Sequence, residues 1–273
     1  MGSEHQHGGH SNLLRVASYN VHKCIGMDGR FDPRRVADVI QSLDADIIAL
    51  QEADARFGKK AGLLDPGYLE GLGGYKMVAS APATSLSHGW HGNVVLYRKG
   101  EVERIRRISL PGLEPRGAVA VDFKWHGQTL HFIATHFGLL RLSRQLQAKA
   151  IRDYVLEHTR EHVVAVGDFN EWRQKRRSGL TPFGTLLREA TGWQCSYPSA
   201  YPVLALDRIF ISDCIESVSA RVLTSELAEV ASDHLPIVAD LRLLDAPVST
   251  GPAAWPAGPR RVLELMRRRW TGT

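Results

Sequence analysis

The spacing of apolar and polar positions changes several times along this chain, and each change marks an element. Residues 13–21 read as a strand that ends in Ser18-Tyr19-Asn20-Val21-His22. Asp32-Pro33 then supplies a cap followed by proline at the first helical position. Val36, Val39, Ile40 and Leu43 recur at helical spacing, which predicts a helix with one buried face. Residues 46–50 form a second predicted strand that runs directly into Gln51-Glu52, whereas 56–74 lack a clear period and read as a surface excursion.

Five strand-like segments follow, at 75–79, 94–97, 102–109, 118–125 and 129–135, separated by turn residues such as Gly127. This is the pattern of an antiparallel meander. It is interrupted by His88-Gly-Trp-His91-Gly-Asn93 and by Pro115-Arg116-Gly117, and its last strand delivers His136. Leu142, Leu146, Ile151 and Val155 predict a second long helix over 142–158 with those residues inward. A β-branched run from Val163 ends in Gly167-Asp168-Phe169-Asn170, and Thr181-Pro182 repeats the cap and proline signal ahead of Phe183, Leu186, Leu187 and Ala190. Strands at 206–211, 218–223 and 236–243 close the pattern, with Ser232-Asp233-His234 just before the last.

Length and composition allow one large core: the chain has 273 residues, 44% of them hydrophobic, and no linker-like stretch in the middle. We divide it into a Gly- and His-rich leader (1–12), one globular domain (13–245) and a Pro/Gly/Ala linker with a basic tail (246–273). No apolar run is long enough for a bilayer and the N-terminus lacks an apolar signal region, so the expectation is a cytoplasmic protein, read as a monomer. The odd set Cys24, Cys195 and Cys214, without C-x-x-C spacing, supports neither a disulfide framework nor a zinc knuckle.

The formal charge of +5 is misleading, because residues 260–273 hold five Arg against one Glu and leave only +1 for the rest. A nearly neutral body offers little footprint for long nucleic acid. The tail, with Val262, Leu263, Met266 and Trp270 among its arginines, can instead lie on an anionic membrane as an amphipathic helix, which would place the protein at the inner face; the competing reading is an unstructured extension.

Chemistry-bearing residues gather where predicted strands begin or end: Asn20, Glu52, His136, Asp168, Asn170, Asp233 and His234. Because side chains alternate along a strand, Asp168 and Asn170 point the same way, one able to activate water and the other to donate to a phosphate oxygen. Taken singly, each residue has a plainer explanation as a turn, a cap or a hydrogen-bonded structural side chain.

In order along the chain, Ser-Tyr-Asn, Gln-Glu, Thr-His, Gly-Asp-Phe-Asn, Leu-Asp-Arg-Ile and Ser-Asp-His-x-Pro resemble the endonuclease/exonuclease/phosphatase (DNase I-like) superfamily over roughly residues 13–243. The resemblance implies an α+β fold, a four-layer α/β/β/α sandwich of two mainly antiparallel sheets. It implies Mg²⁺, with Mn²⁺ as a substitute, at Glu52 with Asn20 near it and Asp233 as a further ligand or orienting group. It also implies that Asp207 holds His234, and that His136, Asp168 and Asn170 complete the catalytic set around a phosphate ester. Whether an Asp or a His is the general base stays open.

Histidine at 136, where apurinic-site endonucleases of the superfamily carry tyrosine, moves the reading away from DNA repair and toward an uncharacterised bacterial subgroup. Asn93, Arg116, Arg144 and Arg173 are placed close enough in sequence to the predicted site to be substrate contacts. The function expected is Mg²⁺-dependent hydrolysis of a small or lipid-linked phosphodiester. A nuclease acting on DNA or RNA and a catalytically inactive binding scaffold are the alternatives, and the intact residue set weighs against the scaffold.

Overall fold

A computed structural model describes residues 13–55, 61–82, 85–158, 161–184 and 186–245; the leader and the basic tail, with the membrane reading attached to it, lie outside the described residues. The first sheet contains β1 (Leu13–Asn20), β2 (Ile47–Gln51), β3 (Lys76–Met77), β4 (Val94–Tyr97), β11 (Ile215–Val222) and β12 (Ile237–Leu243), in the order β11-β12-β1-β2-β4-β3. The second contains β5 (Glu101–Leu110), β6 (Arg116–Trp125), β7 (Gln128–His136), β8 (Val163–Asp168), β9 (Arg188–Glu189) and β10 (Asp207–Ile211), in the order β5-β6-β7-β8-β10-β9.

The two sheets repeat one plan. Each is antiparallel except for a central parallel pair, β1 with β2 in one and β7 with β8 in the other. Parallel neighbours need a crossover. Helix α1 (Pro33–Ser42) provides the first and α3 (Arg141–His158) the second. The carboxyl ends of these parallel pairs carry Asn20 and Glu52 in one sheet and His136 and Asp168 in the other.

Inward-facing side chains of both sheets fill the space between them, among them Val16, Ile47, Phe123, Phe132, Val166 and Ile237. Helix α1, with α2 (Pro66–Gly73) and α4 (Glu226–Ala231), covers the outer face of the first sheet through Val36, Ile40, Leu69 and Ala228. Helix α3 and the turn Thr181–Phe183 cover the second through Ile151, Val155 and Phe183. The result is the four-layer α/β/β/α sandwich.

Three sequence expectations are corrected. The excursion at 56–74 contains α2, capped by the Asp65 side chain, which accepts from the Gly67 and Tyr68 amides. Thr181-Pro182 opens only a single 3₁₀ turn, because Gly184 leaves helical space at φ +54° and the chain turns toward β9. Helix α3 points Leu142 and Leu146 at solvent and buries Ser143, Arg144 and Gln147 in their place.

Candidate active site

Register builds the site. His136 pairs with Asp168 across β7 and β8, and Asp207 pairs with Asp168 across β8 and β10, so three ionisable side chains lie in one row at the sheet end. Gly167 makes this close approach possible: at φ +152°, a Cβ there would meet the Thr135 carbonyl oxygen at 1.8 Å.

Asp168 Oδ2 is the point of convergence. Asn20 Nδ2 donates to it at 3.1 Å and Asn170 Nδ2 at 3.4 Å, while His136 Nε2 stands at 3.4 Å and His234 Nε2 at 3.8 Å. Its other oxygen, Oδ1, accepts from the Asn170 amide at 2.8 Å, a local turn that holds Asn170 at φ +50°. Asn170 Nδ2 also donates to the Phe137 carbonyl at 3.0 Å, which ties the loop after β8 to the loop after β7.

Each group has a defined electrostatic state. Burial pushes the Asp168 carboxyl up to about 7. For His234, burial works against charge, but the Asp207 and Asp168 carboxylates outweigh it and raise the imidazole to about 10. Asp207 Oδ2 accepts from His234 Nδ1 at 2.7 Å and from Ser196 Oγ at 2.5 Å. His136 is held well below its ordinary value, first by burial and then by the positive field of Arg116, His234 and Lys23. Arg116 Nη1 lies 3.0 Å from His136 Nδ1. The other ring nitrogen, Nε2, lies 3.2 Å from Asn170 Nδ2 and 3.4 Å from Asp168 Oδ2, so the neutral ring stands between two donor groups and the carboxylate.

The Glu52 side of the site is more open. Glu52 sits at φ +55° directly after β2 and pairs with Lys23 Nζ. Burial disfavours its charge, but Lys23, His22 and Arg116 outweigh that and lower its pKa. Lys23 escaped the sequence reading. It belongs to a run of three left-handed, non-glycine residues, His22, Lys23 and Cys24 at φ +43°, +56° and +58°. Such conformations are uncommon without glycine, and here they aim the ammonium at Glu52. The basic residue three positions after Asn20 was the only signal in the sequence. Asp233 comes to the same side, its Oδ1 3.7 Å from His22 Nδ1.

These residues fit a divalent ion of the Mg²⁺ type. Glu52 has a lowered pKa, Asn20 at the end of the adjacent strand and Asp233 beside His22 also offer hard oxygens, and the Lys23 ammonium already places positive charge at the carboxylate. No cage of three or more His, Cys, Asp or Glu occurs among the described residues. Mg²⁺ does not demand one, since it keeps several waters and needs only one or two carboxylates.

Of the expected substrate contacts, only Arg116 reaches the cluster. Arg144 is 1% exposed: it donates to Glu171 Oε2 at 3.1 Å and to the Gly138 carbonyl at 3.3 Å, and so clamps the loops that follow β7 and β8 from behind. Asn93 is fully buried, and its amide donates to the Trp90 and Gly117 carbonyls at 3.0 Å each, fixing a turn that packs Gly92 against Glu52. Arg173 stacks on Trp172 at 4.1 Å and lines a separate cavity of about 420 Å³ with Phe183, Trp193 and Arg208.

Residues 17–234 match the sequence model of the Endonuclease/Exonuclease/phosphatase family. An uncharacterized protein of Escherichia coli K12, YbhP, is 28% identical over 250 residues, covering 84% of this chain and 96% of its own. A crystal structure of an endonuclease/exonuclease/phosphatase from Beutenbergia cavernae superposes with a TM-score of 0.66 at 23% identity, covering 87% of this chain and 73% of that one. A mannosyl-6-phosphatase of Bacteroides thetaiotaomicron does so with a TM-score of 0.65 at 20% identity, covering 84% and 99%.

Proposed function

The chain belongs to the endonuclease/exonuclease/phosphatase family, and on that premise we propose that it is a Mg²⁺-dependent phosphodiesterase acting on a small or lipid-linked substrate. The observation that carries the reading is the gathering of four side-chain nitrogens within 3.8 Å of Asp168 Oδ2, beside the ionised Glu52.

Asp168 is the general base in this mechanism. His234, cationic through Asp207, has no free site for a proton, and His136, held well below its ordinary value by burial and the positive field of Arg116, is a weak base whose ring nitrogens already meet Arg116 and Asn170. Asp168, raised to about 7, is the group that can take a proton from water near neutral pH. The Nε2–H of the cationic His234, the His136 ring and the amides of Asn20 and Asn170 then surround the point where negative charge grows on the phosphoryl oxygens. Mg²⁺ or Mn²⁺ held by Glu52, with Asn20 and Asp233, would supply charge neutralisation on the phosphate and the departing oxygen.

A nuclease is the second reading, and the near-neutral body argues against tight binding of long duplexes. One panel separates the two: purified protein with Mg²⁺ or Mn²⁺ against bis-p-nitrophenyl phosphate, plasmid DNA, short RNA, sphingomyelin and glycerophospholipids. Turnover of the chromogenic diester and a lipid, with plasmid left intact, is the expected result. Efficient plasmid cutting with inert lipids would reverse the order.

A further inference from the structure

The loops that leave the catalytic strands do not fold back under cover. Beyond His136 the chain continues through Phe137 and Gly138 into Leu139 and Leu140, which are 65% and 49% exposed, and α3 adds Leu142 at 68%. Beyond Asn170 stands Trp172 at 47%, and the segment before Arg116 presents Leu113 at 83%. These three segments are joined. Glu114 accepts from Arg116 of the site at 3.1 Å through one carboxylate oxygen and from the Leu139 amide at 2.9 Å through the other, while Arg141 Nε donates to the Arg177 carbonyl at 2.9 Å. They form one apolar rim on the His136–Asp168 side of the site.

The charge of the rim has a single sign. Arg141, Lys175, Arg176 and Arg177 are exposed around the leucines, and Arg173 lies over Trp172. The acids in these segments are Glu114, tied to Arg116, and Glu171, fully buried against Arg144. Exposed leucines and a tryptophan interleaved with unneutralised arginines and lysine match an anionic bilayer surface: the side chains enter the acyl boundary and the cations meet the lipid phosphates. A nucleic acid would also meet the cations, but it stacks on aromatic faces and offers nothing to four aliphatic side chains.

We propose that this rim docks the enzyme on an anionic lipid bilayer, with the site opening toward the headgroups, so that its substrate is a phosphodiester in the membrane surface. The substrate half of this statement rests on the phosphoesterase reading; the docking half does not. The surface is built from described residues of the folded domain.

The test uses full-length protein with vesicles of phosphatidylcholine alone or mixed with phosphatidylglycerol, some carrying brominated acyl chains. Beyond any quenching of Trp255 and Trp270 of the tail, which both proteins share, brominated lipid should quench a fraction of the wild-type fluorescence that is missing in Trp172→Phe. The double variant Leu139→Ser/Leu142→Ser should reduce this quenching and slow hydrolysis of a vesicle-embedded phosphodiester by at least about ten-fold. Its rate on bis-p-nitrophenyl phosphate should stay at the wild-type level, which also verifies that the variant is folded. Equal quenching in wild type and Trp172→Phe, or vesicle hydrolysis indifferent to the leucines, would overturn docking through this rim, as would single-stranded DNA competing fully with vesicles in both proteins. If no protein hydrolyses the soluble diester while Trp172 is quenched, the docking surface stands and the phosphoesterase reading falls.

Discussion

The two parallel-strand units of this molecule are built alike and finished differently. In β1-α1-β2 the crossover helix buries an ordinary apolar face, with Val36, Val39 and Ile40 inward, and Lys23 and Glu52, just beyond the strand ends, lie half-buried in left-handed conformations. In β7-α3-β8 the helix buries Arg144 and Gln147 and uses them to hold the loops that follow His136 and Asp168: Gln147 accepts from the Gly138 amide at 2.8 Å, and Arg144 binds Glu171. The first unit is the more open around Glu52, which suits the exchange of a solvated ion that the proposed mechanism requires. The second is fixed around Asp168, which suits the proposed role of a base that meets water and phosphate at one distance.

Breaking the fixed half should have the largest effect. Asp168→Asn keeps the shape of the cluster and removes the base, so a loss on the order of 10²–10⁴-fold in kcat is expected. The same change should raise the melting temperature at alkaline pH. The Asp168 carboxyl titrates at about 7 in the folded chain, above its ordinary 3.8. Folding therefore holds that proton more tightly, and the stability this brings at low pH is lost as pH rises through 7. Melting curves at several pH values should show the Asp168→Asn variant gaining on wild type as pH increases.

Asp207→Asn probes the link between the two sheets and should cost on the order of 10²-fold in activity. His234 is raised from 6.5 to about 10, so its contribution to stability is complete below 6.5 and lost as pH rises through 10. The stability gap between wild type and Asp207→Asn should be widest below 6.5 and close toward 10, as measured by denaturant unfolding. Arg144→Met leaves Glu171 buried without its partner, for which a loss of about 3–5 kcal/mol in unfolding free energy is expected. An equally large loss of activity with unchanged stability would instead make Arg144 a substrate contact.

The open half should answer more gently. Lys23 must yield Glu52 to an entering divalent ion, and a partly exposed ion pair is worth up to about 1 kcal/mol. Lys23→Met should therefore bind Mn²⁺ about five-fold more tightly by calorimetry. Weaker binding would mean that Lys23 supports the ion rather than competes with it.

The contrast also explains what could be read from the sequence. Strand ends were legible because apolar strand patterns stop abruptly at Asn20, His136 and Asp168, and the cap and proline signal located α1. What failed depended on distant partners. Leu142 and Leu146 fit an inward stripe better than Arg144 does, until Glu171, 27 residues away, is folded beneath the helix. Asn93 looked like a donor for substrate because the carbonyl it holds, that of Gly117, belongs to another strand. Helix α2 has a weak periodic pattern with glycines inside it, and α4 is only six residues long. Lys23 was hidden because nothing local announces three consecutive left-handed residues without glycine.

The central claim is that an ion held at Glu52 and a base at Asp168 act on one phosphate. Its most direct test is a Mg²⁺ titration of chelator-treated wild type and Glu52→Gln, with hydrolysis of bis-p-nitrophenyl phosphate as the readout and thermal melting to confirm folding. Wild type should be silent in chelator and recover fully with Mg²⁺, while Glu52→Gln melts as wild type does but recovers only at far higher Mg²⁺, if at all. Undiminished turnover in chelator, or superimposable Mg²⁺ curves for the two proteins, would contradict the account.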